Sequence, residues 1–358
     1  MKTIATIVGA RPQFIKVAPV SKALAATGSV KEVLIHTGQH FDASMSDVFF
    51  EELGIAKPDH HLGVNGGGHG AMTGAMLQQL EPVLQQLRPD RVLIYGDTNS
   101  TLAGALVASK LHIPVAHVEA GLRSFNRAMP EEINRIVADQ LSDILFASTD
   151  TAVRNLEKEG FSSDRIFSVG DVMYDAALQF AERAAARRDI LDSIGVEPGR
   201  YVLATVHRAE NTDDPQRLRV IVSNLERVAE DLPVVLPIHP RTAGRLKVEG
   251  LAFSRVTTIP PVGYLHMVAL ESQAAAIATD SGGVQKEAFF YRVPCVTLRD
   301  ETEWRETVDL GWNRLASPST GGIAQAVASA IGSRGTEASP YGDGRSAVAI
   351  AKIVAEPS

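Results

Sequence analysis

The sequence predicts an α/β fold with doubly wound parallel sheets, and three observations carry this prediction. Short apolar runs alternate with helical patterns along nearly the whole chain. The runs are rich in Val and Ile and continuously apolar, which is typical of parallel strands covered on both faces. The length of 358 residues suggests roughly two domains.

The first half of the chain contains six apolar runs that we expect to form strands. Helical patterns such as 100–110 and 131–141 lie between them. The Gly-rich segment 63–70 is expected to be a mobile surface loop, because residues 58–62 before it are too short and polar a segment for a strand. The predicted strands cover residues 3–8, 32–36, 91–95, 114–118, 144–147 and 165–169.

The second half repeats this organisation after a shift in composition. The helix-forming segment 175–188 links the two halves, and we predict one domain over residues 1–172 and a second over residues 173–340. A terminal helix is expected over residues 341–355. The predicted strands of the second half cover residues 201–206, 234–238, 256–259, 275–279 and 294–298.

The composition excludes several classes of function. There are 35 Lys and Arg against 42 Asp and Glu, a net charge of −7, whereas nucleic acids and anionic membranes attract basic proteins. No run reaches the ~20 apolar residues of a membrane span. The single cysteine, Cys295, cannot form an internal disulfide and is expected to pack inertly inside a strand. We therefore expect a soluble protein from a reducing compartment that binds neither nucleic acid nor membrane.

Unusual polar residues follow six of the predicted strands. Ligands of open parallel sheets bind beyond the carboxyl ends of the strands. One such end would mean little, but six ends divided between two halves favour a ligand in a cleft between domains. The six segments are GARP (9–12), GDTNS (96–100), EAGLR (119–123), HRAEN (207–211), HPR (239–241) and DSGG (280–283).

The last of these segments opens a predicted helix and is a candidate anion site. Gly282 and Gly283 let backbone N–H groups approach a phosphate, which the helix dipole favours. Glu287 lies about one turn into the helix, where a carboxylate can reach ribose hydroxyls. The alternative is an ordinary helix start, with Ser281 as the cap and Glu287 neutralising the dipole.

Two carboxylates of the first half have both functional and structural interpretations. The loop after residue 95 could be a helix start capped by Asn99 or Ser100. Asp97 would then have no role in the helix, which favours a functional one. Glu119 ends an apolar strand, where an ionised carboxylate needs a partner. Arg123 could supply that partner as a structural ion pair, so both interpretations stay open.

Four other candidates also have structural alternatives. Glu131 and Arg135 are i,i+4 neighbours on a predicted helix and could form a surface ion pair. Ile133 belongs to the predicted apolar face of that helix. His207 and His239 each follow a buried strand, where a lone histidine is often structural. Two histidines in matching positions favour a functional interpretation over a structural one.

Several kinds of site are not indicated. No GxGxxG or GxxxxGK[ST] motif stands in its required context, so neither NAD nor a P-loop is predicted. The histidine pairs at 60–61 and 112/117 fit no metal-binding spacing, and we predict no metal. The sequence contains no GxSxG elbow, so hydrolysis by a Ser/His/Asp triad is not predicted.

Taken together, eight motifs resemble those of the non-hydrolysing UDP-N-acetylglucosamine 2-epimerases. The resemblance runs from residue 9 to residue 344, in the right order throughout. The motifs are GARPQFIKVAP (9–19), TGQHFD (37–42), GDTNSTLAG (96–104), HVEAGLRS (117–124), MPEEINR (129–135), VHRAEN (206–211), TDSGGVQKEA (279–288) and RDETEWRE (299–306).

The resemblance implies a fold and a reaction. The fold is that of the B-type glycosyltransferases, with two Rossmann-like domains, an active site in the cleft between them and a C-terminal helix (341–358) that returns to the first domain. UDP leaves C1 while the C2 proton is lost, which gives a glycal. UDP then adds back, and the proton reaches the opposite face of C2. No cofactor is needed.

The resemblance also implies two groups of site residues. The catalytic group comprises three carboxylates for the proton steps and a histidine beside the leaving diphosphate: Asp97, Glu119, Glu131 and His207. The binding group contacts the UDP-sugar substrate: Arg11, Lys16, Arg135, His239, Ser281, Gly282, Gly283 and Glu287.

The motifs also depart from those of the best-known members. Those read GTRPE and RDTTERPE where this chain has GARPQ and RDETEWRE. Regulated members also carry a second glutamine after the Gln-His pair, where this chain has Phe41 and Asp42, and an Arg-Gln pair near the Gly-rich segment. Their absence from this sequence puts activation by a second substrate molecule in doubt. The GARPQ, SFN, MPEE and TEW variants look closer to the branch acting on UDP-2,3-diacetamido-glucuronic acid. Its C6 carboxylate would need an extra cation, for which Arg127 or Arg305 is a candidate.

The leading expectation is conversion of UDP-GlcNAc to UDP-ManNAc by a cytoplasmic homodimer, for surface-polysaccharide synthesis. The alternative is the same 2-epimerisation of the diacetamido uronate. A UDP-sugar glycosyltransferase or a hydrolysing epimerase would share the UDP site but consume the nucleotide sugar. A non-catalytic UDP-sugar binder would not need three carboxylates in the first half.

Overall fold

The computed structural model describes residues 1–39, 50, 52–185 and 187–356. The chain divides into two compact units. Unit 1 comprises Met1–Ala176 and Ser339–Ser358, and unit 2 comprises Ala177–Ala338. Residues 40–42 of the TGQHFD motif lie outside the described part of the chain. No helix within that part combines the length and the apolar character needed to cross a bilayer.

Unit 1 is built on a parallel sheet whose described strands number seven, in the order β3-β2-β1-β4-β5-β6-β7. The α/β fold predicted from the apolar runs is confirmed. The sequence missed β3, a short polar segment that pairs through its backbone with the end of β2. The strands are β1 (Lys2–Val8), β2 (Val30–His36), β3 (His60–His61), β4 (Arg91–Tyr95), β5 (Val115–Ala120), β6 (Ile144–Ala147) and β7 (Ile166–Ser168).

Helices connect the parallel strands of unit 1. The helix His69–Leu87 begins inside the predicted Gly-rich loop, and Met76, Leu80 and Leu84 are buried along it at helical spacing. A 3₁₀ turn (Ser163–Arg165) precedes β7. The helices are α1 (Arg11–Thr27), α2 (His69–Leu87), α3 (Asn99–Lys110), α4 (Pro130–Leu141) and α5 (Asp150–Lys158). A further helix, α6 (Val172–Ala185), begins in unit 1 and continues past Ala176 into unit 2.

Unit 2 has its own parallel sheet, in the order β10-β9-β8-β11-β12-β13. The sequence missed β13, a short strand with two polar residues. The strands are β8 (Val202–Thr205), β9 (Val234–Pro237), β10 (Thr257–Ile259), β11 (Ala276–Thr279), β12 (Cys295–Thr297) and β13 (Asn313–Leu315). The helices are α7 (Arg188–Ile194), α8 (Ala209–Thr212), α9 (Pro215–Val228), α10 (Pro240–Val248), α11 (Tyr264–Ser272), α12 (Gly282–Phe290), α13 (Arg305–Asp309) and α14 (Ile323–Ala330).

The last helix, α15 (Ser346–Ala355), belongs to unit 1 and packs against α1. It begins five residues later than the sequence predicted. Gly342 and Gly344 have φ angles of 88° and 79°, which a right-handed helix does not contain. The carboxylate of Asp175 accepts hydrogen bonds from the N–H groups of Ser346 and Ala347 and so caps this helix.

Strand order brings the polar strand ends together within each unit. In unit 1, β4 lies between β1 and β5, and Tyr95 pairs with Val118. The segments that follow these strands, at 9–12, 96–100 and 119–123, are therefore neighbours. In unit 2, Thr205 pairs with Thr279, which places the segments at 207–211 and 280–283 side by side.

Candidate active site

A tight turn follows β4 in unit 1 and places Asp97. The Gly96 N–H donates to the Val118 carbonyl of β5 (2.9 Å). Thr98 is the N-cap of α3, and its hydroxyl accepts from the Thr101 N–H. The prediction that Asn99 or Ser100 forms the cap is therefore wrong. Thr is also a favoured N-cap residue but ranks below Asn and Ser, so residue type alone pointed to the wrong positions.

The side chain of Asp97 is bound by Arg135 of α4. The Nε and Nη2 of Arg135 both donate to Oδ2 of Asp97, at 3.0 and 2.7 Å. Nη1 donates to Glu132 (2.8 Å). Burial opposes the charge of Arg135, but Asp97 and Glu132 outweigh it and raise the pKa of the guanidinium. The predicted alternative, an Arg135 ion pair with Glu131, is not what the structure shows.

Glu119 is the second carboxylate beside this turn. It is the penultimate residue of β5 and has φ of 73°, a left-handed backbone conformation that is strained for a residue with a Cβ. It forms a buried ion pair with Lys16 of α1. Arg123, the predicted partner, instead binds Asp139 and Glu159. A Cβ on Gly96 would lie 3.2 Å from Oε2 of Glu119 and 3.1 Å from Nζ of Lys16, so the pair lies directly against the turn.

A buried pair, His117 and Asp139, contacts the backbone of this turn, and the sequence did not predict this arrangement. The ring nitrogens of His117 contact the Asp139 carboxylate and the Gly96 carbonyl, both at 2.7 Å. Asp139 also accepts from the Gly121 N–H (3.1 Å). Burial opposes the ionisation of Asp139, but His117 and Arg123 outweigh it and lower its pKa. This group fixes the backbone on both sides of Glu119.

Helix α4 places Glu131 and Glu132 differently. Glu131 is exposed in the first turn, whereas Glu132 is buried and binds Arg135. Ile133, which the sequence assigned to the apolar face, is 42% exposed. Glu132 and Asn134 are buried at the start of this helix because they bind polar groups, Glu132 the Ser124 and Phe125 N–H groups and Asn134 the Asp97 carbonyl. Further along the helix, Ala138 belongs to an apolar cluster of unit 1.

The loop after β1 is tied to the same turn by Gln13. Its Oε1 accepts from the N–H groups of Gly9 and Ala10, at 2.8 and 3.1 Å. Its Nε2 donates to the Tyr95 carbonyl (2.8 Å). Arg11, a predicted substrate-binding residue, begins α1 beside this loop and is partly exposed. The ends of β1, β4 and β5 thus form one polar cluster.

Unit 2 brings His207 and His239 together at the ends of β8 and β9. Their ring centroids are 6.0 Å apart. Burial, with the charges of Arg208 and His239, lowers the pKa of His207, and Asp280 opposes this. Asp280 is fully buried, and its carboxylate accepts from the N–H groups of His207 (3.1 Å) and Arg208 (3.0 Å). The sequence shows Asp280 only as the Asp of the TDSGG motif, and its contact with the backbone after β8 is visible only in the structure.

The start of α12 forms the second part of the unit 2 cluster. Ser281 is its N-cap. A Cβ on Gly282 would meet Oε1 of Glu303 at 2.7 Å and Nε1 of Trp304 at 3.2 Å, so a side chain there would displace the Glu303 carboxylate. A Cβ on Gly283 would lie 4.0 Å from Oε2 of Glu287. Glu287 therefore faces the helix start, and Tyr264 Oη is 3.4 Å from its carboxylate.

Each cluster suits one kind of chemistry. Unit 1 presents carboxylates with fixed cationic partners, the groups used in general acid and base catalysis. Unit 2 presents two imidazoles and a helix N-terminus, which bind anions such as phosphate. Cys295 takes no part, because complete burial raises the pKa of its thiol to about 12.

The chain is similar to known proteins over almost its whole length. Residues 22–355 match the family described as UDP-N-acetylglucosamine 2-epimerase. The chain is 52% identical to the UDP-2,3-diacetamido-2,3-dideoxy-D-glucuronate 2-epimerase of Pseudomonas aeruginosa, with 99% of each chain covered. It is 44% identical to the UDP-N-acetylglucosamine 2-epimerase of Methanocaldococcus jannaschii, with 98% of each covered.

A solved structure shares the fold. The crystal structure of the Methanocaldococcus jannaschii UDP-GlcNAc 2-epimerase in complex with UDP-GlcNAc and UDP superimposes with a TM-score of 0.90. Its sequence is 43% identical, and the match covers 98% of this chain and 99% of that one.

Proposed function

Because the chain belongs to the UDP-N-acetylglucosamine 2-epimerase family, we propose that it inverts C2 of a UDP-activated 2-acetamido sugar by eliminating and re-adding UDP. It is a nucleotide-sugar 2-epimerase, and therefore an isomerase. The observation that carries the proposed mechanism is the carboxylate cluster around the Gly96 turn. There Asp97 and Glu119 each hold a cationic partner.

We place UDP-2,3-diacetamido-2,3-dideoxy-D-glucuronic acid first among the substrates. The 52% identity to the Pseudomonas aeruginosa enzyme supports it, as do the GARPQ, SFN, MPEE and TEW variants. UDP-N-acetylglucosamine, which the sequence predicted first, is the second candidate. The 44% identity to an enzyme of that name and the similar structure with UDP-GlcNAc bound support it.

The first part of the reaction belongs to the carboxylates of unit 1. The C1–O bond to UDP breaks, its electron pair leaves with the diphosphate, and a carboxylate takes the proton from C2. Asp97, Glu119 and Glu131 are the proposed bases and acids. Both hydrogen bonds from Arg135 to Asp97 go to Oδ2, and neither goes to Oδ1. Re-addition of UDP and delivery of the proton to the other face complete the inversion.

The second part is stabilisation of the departing diphosphate by unit 2. A positioned acid or base contributes ~10²–10⁴ in rate, so a group that bears the negative charge of the leaving UDP must contribute much of the rest. The N–H groups at the start of α12 and the imidazole of His239 bind phosphate in this proposal. The lowered pKa of His207 favours its neutral form before UDP leaves. The negative charge that develops on the diphosphate then favours protonation of His207.

The sugar substituent at C6 requires a further cation if the substrate is the uronate. Arg127 lies in the loop between β5 and α4, and Arg305 is the first residue of α13. Both side chains are exposed in the structure, and either could pair with a carboxylate. We also propose the substrate-binding roles that the resemblance implies for Lys16, Arg11 and Glu287.

The experiment is deuterium incorporation at C2. The protein is incubated in D2O with UDP-2,3-diacetamido-glucuronic acid and, separately, with UDP-GlcNAc, and C2 is followed by NMR. We expect deuterium at C2 of an epimer mixture, faster with the uronate. Release of UDP without an epimer would indicate transfer or hydrolysis instead. Faster exchange with UDP-GlcNAc would reverse the order of the two substrates. The cytoplasmic location, the homodimer and the polysaccharide role stay predictions.

A further inference from the structure

Glu132 is a buried carboxylate to which the reaction assigns no role. It lies next to Glu131 in the first turn of α4 and is 1% exposed. Its Oε2 accepts from the Ser124 N–H (2.9 Å) and from Nη1 of Arg135 (2.8 Å). Its Oε1 accepts from the Phe125 N–H (3.0 Å). One side chain therefore binds both a loop and a charged neighbour.

The loop that Glu132 binds has an unusual backbone. Phe125 has φ of 58° and its side chain is 78% exposed, although a left-handed conformation is strained for a bulky residue. The loop is closed by further hydrogen bonds, from the Asn126 N–H to the Ser124 hydroxyl and from the Met129 N–H to the Asn126 carbonyl. Strain of this kind persists only where surrounding contacts determine it, and it is concentrated at functional sites.

The other side of Glu132 leads to Asp97. Arg135 donates to Glu132 through Nη1 and to Asp97 through Nε and Nη2. Burial opposes the ionisation of Glu132, but the hydrogen bonds from Ser124, Arg135 and Phe125 outweigh it and lower its pKa. An ionised carboxylate thus connects the loop to the guanidinium that orients Asp97.

We propose that Glu132 is a positioning residue for the 2-epimerisation, holding the Ser124–Phe125 backbone and, through Arg135, the carboxylate of Asp97 in one geometry. The inference rests on the proposed function, because it takes Asp97 as a proton-transfer group. Glu132 itself touches no reacting atom. Its contribution is to keep Asp97 aligned with C2, where a misplacement of about 1 Å can cost ~10²-fold in rate.

The test is Glu132→Gln, which keeps the size of the side chain but removes its charge. An amide oxygen can still accept one N–H, but the NH₂ group faces donors of the loop or of Arg135. We expect kcat for C2 exchange to fall by about 10- to 100-fold with KM and UDP affinity unchanged. Hydrogen exchange at the amides of Ser124 and Phe125 should become faster.

The matched control is Asp175→Asn. Asp175 is also a buried carboxylate of unit 1 that accepts two consecutive backbone N–H groups, from Ser346 and Ala347. It holds α15 rather than the Asp97 turn. We expect a loss of Tm similar to that of Glu132→Gln, with kcat within about 2-fold of the wild type. Equal losses of kcat in both variants would show a merely structural role and overturn the inference.

A second variant keeps the test decisive if Glu132→Gln does not fold. In Arg135→Lys a single ammonium replaces the planar fork that bridges Glu132 and Asp97. We expect a lower kcat, and full kcat would overturn the inference. If the wild type itself exchanges no C2 proton with either substrate, the proposed function fails and the inference with it. Normal wild-type exchange with full activity in Glu132→Gln refutes the inference alone.

Discussion

Asp97 offers the most direct test of the chemistry at the scale of one residue. In Asp97→Asn the amide oxygen can still accept from Arg135, so the turn should keep its shape while the base is lost. We expect deuterium incorporation at C2 to fall by at least about 10²-fold. UDP affinity, measured by calorimetry, should not change, because the UDP-binding candidates in unit 2 are untouched.

The control for Asp97→Asn is Asp90→Asn in the same unit. Asp90 is an exposed carboxylate that accepts from the Thr3 N–H at 2.7 Å. This substitution removes the same charge without touching the Gly96 turn. C2 exchange should stay at the wild-type rate. Full exchange in Asp97→Asn as well would remove Asp97 from the proton steps.

The partners of these side chains show how far sequence reasoning reaches at this scale. Asp97 was identifiable because no local structure needs its carboxylate. The partner of Arg135 was not identifiable, because Glu131 is the neighbour in sequence whereas Asp97 is the neighbour in space. Glu132 was missed for a related reason. Its partners, the N–H groups of Ser124 and Phe125, leave no trace in side-chain patterns.

At the scale of secondary structure, long apolar runs were predictable and short polar elements were not. The central strands, such as β1 and β4, consist of residues whose burial on both faces demands a continuous apolar run. β3 and β13 are held by backbone pairing at the sheet edges, so their side chains carry little signal. The N-terminus of α15 was misplaced because Asp175, which caps it, is distant in the sequence.

A carboxylate on α9 should make the stability of unit 2 depend on pH. Glu226 accepts from the backbone N–H groups of Ser254, Arg255 and Val256. Partial burial opposes ionisation, but the hydrogen bond from the Ser254 hydroxyl, together with those from the three N–H groups, lowers the pKa of Glu226 from 4.5 to about 2. The folded state therefore binds this proton less readily than the unfolded state. The stabilisation is complete above pH 4.5 and is lost as the pH falls towards 2.

The measurement is the Tm of Glu226→Gln against the wild type over this pH range. We expect a lower Tm for the variant at pH 7 and a difference that shrinks to nothing near pH 2. Glu230→Gln is the control, because Glu230 contacts Arg255 only through an exposed ion pair (3.3 Å), which contributes little. A constant difference between Glu226→Gln and the wild type at every pH would contradict the assigned pKa.

At the scale of the whole molecule, each unit buries its own core. One apolar cluster of unit 1 includes Ile7, Ile94 and Leu80, and one of unit 2 includes Ala204, Ala278 and Leu225. The two α/β halves were predictable because the apolar runs recur on both sides of a composition shift. The return of α15 to unit 1 was implied only by the family resemblance, because no local pattern shows which core a terminal helix joins.

That return makes the stability of unit 1 depend on the far end of the chain. Ile350 of α15 is fully buried, whereas Val348 in the same helix is 54% exposed. We expect Ile350→Ala to lower the free energy of unfolding of unit 1 by about 2 to 5 kcal/mol, since it leaves a cavity. Val348→Ala should change it by less than about 0.5 kcal/mol.

Two probes of urea unfolding separate the units in this experiment. Both tryptophans, Trp304 and Trp312, lie in unit 2, so their fluorescence reports that unit, whereas far-UV circular dichroism reports both. In Ile350→Ala we expect the dichroism transition to begin at lower urea while the fluorescence midpoint stays in place, because the mutation opens a cavity in the core of unit 1 alone. Equal shifts of both midpoints would mean that the two cores unfold as one cooperative unit.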